Sequence, residues 1–164
     1  FMNIEIRPYE SADIGAVLPI WNQVVTDGVA FPQTECLTEE TGDAYFRGQS
    51  FTGIAVDSER GQMVGIYTLH PNNVGRCGHI CNASYAVSGD VRGQGVGELL
   101  VRHCMKTAKE IGFRILQFNA VVKTNAAALH LYEKLGFTQL GVIPGGFRLN
   151  DERYEDIIPH YIVL

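Results

Sequence analysis

Positive charge is scarce in this sequence: 13 lysines and arginines stand against 18 acidic residues, for a net charge of −5, and no basic cluster appears. Phosphate backbones are held by clustered Lys and Arg, so general nucleic-acid binding is excluded. Cysteine is scarce too. Cys36, Cys77, Cys81 and Cys104 are too few and too scattered for a disulfide framework, which points to reduced thiols and a cytoplasmic setting. Cys77, His79 and Cys81 would share one strand face, but further ligands at metal-binding spacing are missing, so no metal is expected. No apolar run approaches the roughly 20 residues of a membrane span, and no charged segment followed by a hydrophobic one opens the chain. Neither a membrane span nor a signal peptide is therefore expected. Phe1, ahead of Met2, is set aside from the fold.

What the 164 residues do have is 46% hydrophobic content without repeats or low-complexity tracts, which suits a single domain over residues 2–164. "MNIEIR" (2–7) alternates as a half-buried strand does, with Pro8 as its stop. "SADIGAVLPIWNQVVTDG" sets Ile14, Val17, Leu18, Trp21, Val24 and Val25 at helical spacing, with Gly28 as C-cap and Pro19 as a kink. Residues 29–50 read as a loop and a short helix, and "FTGIAVD" (51–57) and "QMVGIYTLH" (62–70) flank the turn "SERG" as a hairpin. A strand at "HICNASYAV" (79–87) precedes a helix from about 95 to 111, with Val96, Leu99, Leu100, Cys104, Ala108 and Ile111 as its buried stripe. "RILQFNAVV" (114–122) is a strand, "NAAALHLYEKLG" (125–136) a helix, "FTQLGVI" (137–143) a strand, and "EDIIPHYIVL" the last strand. This order predicts an α/β (α+β) fold. Its mixed sheet of about seven strands contains one parallel pair joined by a right-handed crossover, and about four helices flank it.

Between the strand at 79–87 and the long helix lies "SGDVRGQGVGELLVRHC" (88–104), with Gly93, Gly95 and Gly97 at alternate positions. A strand, a glycine turn and a helix start make an anion site: free N–H groups point outward, the dipole end is positive, and bare backbone lets a phosphate approach. Two nucleotide motifs fail on counting. A P-loop needs Gly-Lys followed by Ser or Thr after a strand, which is absent, and the dinucleotide fingerprint needs a glycine where Glu98 stands. A purely structural turn is the alternative.

The run Arg92-Gly93-Gln94-Gly95-Val96-Gly97 resembles the pyrophosphate-binding signature of the GNAT N-acetyltransferase superfamily, and "NAAALHLYEKLGF" resembles its second cofactor motif. The resemblance implies an enzyme that moves the acetyl group of acetyl-coenzyme A to an amine, without a metal. It implies a bulge on the strand at 79–87 that splays it from the strand at 114–122 and opens a V-shaped gap in the sheet. In that gap the backbone of Ala86 and Val87 would pair with the pantetheine amides, and the amides from Arg92 to Gly97 would hold the pyrophosphate. Asn125 would contact the pantetheine arm, although it suits a plain N-cap equally. Tyr132 would protonate the departing thiolate, the alternative being a packed aromatic.

The strand at 79–87 carries no carboxylate to act as general base; it offers His79, Asn82, Ser84 and Tyr85, and its neighbour adds Gln117 and Asn119. A water-mediated base is therefore expected. Asn82 and Asn119 would face each other near the apex of the gap and orient a substrate, a local backbone or water contact being the alternative. More narrowly, "TDGVAFPQ", "CNASYAV" and "FNAVVKTNAAALHLYEKLGF" resemble the proline-analogue N-acetyltransferase branch, which implies a cyclic amino acid such as azetidine-2-carboxylate as acceptor. By that likeness Asn82 and Asn119 bind substrate, and Phe31 either lines the acceptor pocket or packs in the core. Other small amines stay open, namely a primary amino acid, a phosphinothricin-like compound or a polyamine. So do a non-catalytic acetyl-CoA sensor and a homodimer built on the C-terminal strands.

Overall fold

The first helix shows how the pattern becomes structure. In the computed structural model, which describes residues 2–164, α1 (Ile14–Asp27) buries Val17, Ile20, Trp21, Val24 and Val25 and ends where Gly28 turns left-handed at φ 64°. Phe1 lies outside the described residues. Pro19 sits on the exposed side of α1, which runs on through it. A reciprocal capping box between Thr38 and Thr41 starts α2 (Glu39–Arg47). These two helices cover one face of an eight-stranded sheet, and α3 (Val96–Ile111) and α4 (Ala126–Lys134) cover the other.

The strands are β1 (Ile4–Pro8), β2 (Phe51–Asp57), β3 (Gln62–Pro71), β4 (Ile80–Val87), β5 (Ile115–Val122), β6 (Thr138–Gln139), β7 (Ile143–Arg148) and β8 (Tyr154–Val163). They run in the order β1-β2-β3-β4-β5-β8-β6, with β7 also on β8. Every pairing is antiparallel except β4 with β5, which α3 joins as a crossover. Along β3 and β4 the side chains alternate between two cores. Tyr67, Leu69, Cys81 and Ala83 face α3 and α4, whereas Ile66 and Ala86 face α1 and α2.

Three expectations are corrected. Leu99 and Ile111 are 44% and 48% exposed, and Val101 completes the buried stripe of α3 instead, because it lies between the two rows that face the sheet. The single strand expected at 137–143 is divided: β6 has only two residues, Gly141 turns left-handed at φ 114°, and β7 begins at Ile143. The bulge belongs to β5 rather than β4. The β3–β4 register is unbroken from Gly65↔Val87 to Pro71↔Cys81, whereas β5 shifts against β8 between Phe118↔His160 and Val121↔Ile158, leaving one extra residue at Asn119–Ala120.

One ion pair ties β1 to the approach of α1. The Arg7 guanidinium donates to both carboxylate oxygens of Asp13 at 2.8 Å, and the Glu10 amide also donates to Asp13. The Arg7 hydrogen bonds hold the Asp13 carboxyl below its usual range. Its contribution to stability is therefore complete above the ordinary aspartate pKa of about 3.9 and is lost as the pH falls through the lower folded value. Asp13→Asn is expected to cost about 1–2 kcal/mol at neutral pH, Arg7 being partly exposed, and to flatten the acid limb of stability. Urea denaturation across pH checks both.

Candidate active site

The two inner strands stop pairing almost as soon as they meet. β4 and β5 share only the pairs Ile80↔Ile115 and Cys81↔Leu116. At either end of the β3–β4 ladder, Asn72 N–H donates to Ile80 and Ser88 N–H donates to Val64, both at 2.8 Å. Alternation then directs the backbone groups of Asn82, Ser84 and Ala86 to β3, and those of Ala83, Tyr85 and Val87 toward the gap. Ala86, read in the sequence as a cofactor contact, thus spends its amide on β3. Tyr85 and Val87 present theirs to the opening.

A cavity of about 390 Å³ fills the gap, reaching Phe31 and Tyr45 on one face of the sheet and Tyr132 and Ala128 on the other. Asn82, one residue past the last paired position, donates from Nδ2 to the Gln117 carbonyl at 2.8 Å and clasps the apex. Asn119 lines the same cavity from the β5 bulge, where its Nδ2 donates to Asn72 and its Oδ1 accepts from Gln117. The two asparagines share the cavity but are tied to other partners, not to each other. Phe31 is 5% exposed, its ring centroid lies 4.6 Å from that of Trp21 in the core, and it also lines the cavity. Ser84 lines the cavity, whereas His79 lies just ahead of β4, exposed, with its carbonyl accepting from Arg114.

Tyr132 is held by an aromatic box, with ring centroids 4.5 Å from Phe118, 5.3 Å from Phe137 and 5.6 Å from His160. Burial raises its phenol well above the usual range, so the hydroxyl stays protonated and able to donate. Asn125 caps α4 by accepting from the Ala128 amide at 3.2 Å and lines the cavity as well. Two residues that sequence reasoning passed over sit here: Tyr45 and His70, whose Nδ1 lies 3.0 Å from Gln49 Oε1. His70 pairs with Asn82 across β3 and β4, a neighbourhood visible only once the register is known.

At the mouth of the gap the glycine turn leads into α3. Gly93 and Gly95 take φ of 77° and 84°, and a Cβ added at either would meet nothing within 4 Å, so the left-handed backbone rather than crowding calls for glycine. Gly95 is the N-cap of α3 and supplies no side chain; the helix ladder begins with Leu99 N–H on the Gly95 carbonyl. The amides of Val96, Gly97 and Glu98 therefore point out of the helix end, at its positive pole. The Arg92 side chain turns away to Asp27, at 3.5 Å. Glu98 accepts from Arg102 on its own helix and from Lys134 on α4, at 2.9 and 2.6 Å, linking the two helices.

The chain thus joins a splayed parallel pair to a glycine-opened helix between its strands, and residues 21–137 match the model of the acetyltransferase (GNAT) family. The chain belongs to the GNAT family. Its enzymatic class, an N-acetyltransferase using acetyl-CoA, follows from that membership. The Schizosaccharomyces pombe N-acetyltransferase aca1 is 37% identical over 100 residues, 61% of this chain but only 47% of aca1. The Escherichia coli L-amino acid N-acyltransferase MnaT is 24% identical over 86% of this chain and 83% of MnaT. A GCN5-related N-acetyltransferase from Kribbella flavida superposes with a TM-score of 0.89 at 33% identity, covering 98% of each chain. Among the described residues no group of His, Cys, Asp and Glu is arranged to hold a metal, and no helix is long and apolar enough to cross a membrane.

Gly95→Ala tests the cradle. The left-handed backbone makes the substitution cost about 1 kcal/mol of stability, and the added methyl group stands where a phosphate would come close. Coenzyme A affinity, by calorimetry, is expected to fall about tenfold or more, as for the loss of a charge-assisted hydrogen bond.

Proposed function

We propose that this GNAT enzyme acetylates the amine of a small amino acid, including cyclic proline analogues such as azetidine-2-carboxylate, in a ternary complex with acetyl-CoA. The observation that carries the reading is that the unpaired β4 edge and Tyr132 line one cavity, and that β4 runs on from it, through the glycine turn, to the uncapped start of α3. The residues fit the cosubstrate. The outward amides of Val96, Gly97 and Glu98 suit the pyrophosphate, and the Tyr85 and Val87 backbone suits the pantetheine amides. When bound, acetyl-CoA supplies an activated acetyl thioester.

Everything else falls to the chain's own side chains. The Tyr132 hydroxyl donates the proton that the leaving sulfur takes, and burial keeps that proton in place at working pH. Asn82, clasped to Gln117, keeps its Oδ1 for the acceptor, and Asn119 on the bulge orients the acceptor's polar end. No Asp, Glu, Lys or Arg lines the cavity, so a carboxylate on the acceptor would be met by amides and hydroxyls. That favours a compact zwitterion over a polyamine, whose several positive charges would find no counter-charge. The likeness to MnaT, named for L-amino acids, supports the same class of acceptor.

Release of coenzyme A thiol, followed with a panel of amino acids, cyclic imino acids and polyamines, tests the reading. Turnover is expected with the first two groups. Tyr132→Phe, which keeps the ring in its aromatic box, is expected to lower kcat about 10²-fold with the KM for acetyl-CoA little changed. Asn82→Ala is expected to raise the acceptor KM. Coenzyme A binding without turnover of any amine would point to a sensor, and full activity in Tyr132→Phe would remove Tyr132 from the chemistry.

A further inference from the structure

Resting on the acetyl-transfer reading and deepening it, we propose that His70 is the general base that deprotonates the acceptor ammonium, with Gln49 as the residue that positions it. The cavity wall admits few rivals. Among its lining residues the ionisable side chains are Tyr45, Tyr85, Tyr132 and His70, and burial raises all three phenols, leaving His70 as the side chain able to accept a proton.

The hydrogen bonds decide which nitrogen is free. Gln49 Nε2 donates to the Tyr45 carbonyl at 3.2 Å, so Gln49 Oε1 is the atom turned to His70 Nδ1, 3.0 Å away. A carbonyl oxygen only accepts, so Nδ1 carries the hydrogen and Nε2 holds a bare lone pair. Nε2 makes no protein hydrogen bond among the described residues and is not buried, and His70 lines the cavity. His70 stands opposite Asn82 in the β3–β4 ladder, with both side chains on the α1 and α2 face. The base thus approaches from one face of the sheet, and the Tyr132 phenol from the other.

Burial lowers the imidazole below its ordinary value of about 6.5, which keeps it neutral and ready to accept. No fixed charge opposes this. β4 and β5 carry no ionisable side chain beyond Cys81 and Tyr85, and the charged residues of α2 (Glu39, Glu40, Asp43 and Arg47) and of α4 (Glu133 and Lys134) do not line the cavity. Asp43 is engaged by Tyr9 and Arg47.

The step balances as follows. Nε2 takes one N–H proton from the ammonium; the freed nitrogen lone pair forms the N–C bond to the thioester carbonyl carbon; the C–S bond breaks with its electron pair on sulfur. A second proton, lost from that nitrogen, offsets the one that Tyr132 gives to sulfur. His70 returns its own proton to water.

Nitrogen-15 NMR of histidine-labelled full-length enzyme is expected to find His70 as the Nδ1–H tautomer, titrating below the ordinary histidine value. Gln49→Glu places a carboxylate on Nδ1 and is expected to raise that titration, and the acid limb of kcat/KM against pH is expected to move up with it. His70→Ala is expected to lower kcat about 10²-fold and to abolish that limb, with the KM for acetyl-CoA unchanged. The proposal is overturned if the His70→Ala enzyme keeps the limb. It is equally overturned if Gln49→Glu moves the NMR titration but not the kinetic one, a comparison that needs no alanine variant to fold. Absence of turnover by the wild type with every amine would instead overturn the acetyl-transfer reading, and this proposal with it.

Discussion

The separation of β4 from β5 after Cys81↔Leu116 is the event on which the site depends. A central parallel pair ordinarily satisfies its backbone groups along its whole length, and an unsatisfied amide in a sheet interior costs as much as a lost hydrogen bond. Here the cost is concentrated in Ala83, Tyr85 and Val87 and offset elsewhere. β3 holds the other edge of β4 in unbroken register, β5 follows β8 around its bulge, and the Asn82 amide bridges the point of divergence to Gln117. Those stranded donors and acceptors give an amide-bearing ligand something to pair with.

The proposed donor cradle and the proposed proton donor are carried by different helices, which the chain couples directly. Glu98, in the first turn of α3, is gripped by Lys134 in the last turn of α4, and Phe118 of β5 packs against both Tyr132 and Phe137. The exposed ion pair contributes direction more than energy. The buried ring contacts supply the cohesion, so the phenol is placed by the hydrophobic core rather than by a loop.

Much of this was legible in the sequence, where local signals were strong. The helix ends at Gly28 and Gly112, the hairpin around "SERG" and the glycine turn all rest on residues whose backbone preferences act within a few positions. What stayed hidden depends on partners distant in sequence. β7 was masked because Gly145 and Gly146 depress any strand signal, although Gly146 is required where Ile157 presses within 2.5 Å of a would-be Cβ. The bulge on β5 follows from its fit to β8, which no periodicity in "LQFNAVV" encodes. His70 looked like the polar end of a strand, and only its register with Asn82 and its bond to Gln49 bring it into the site.

The uncharged wall of the cavity has a consequence for how such an enzyme diverges. In the proposed function, donor recognition rests on backbone amides and bare glycines at the start of α3, while the acceptor meets side chains without fixed charge from α2, β3, β4 and the loop at Phe31. Exchanging Tyr45, Ser84 or Phe31 for another neutral residue would neither leave an ion unpaired nor disturb the helix end. Acceptor preference can thus drift by changes of shape and hydrogen-bond count alone, while the coenzyme end stays the same.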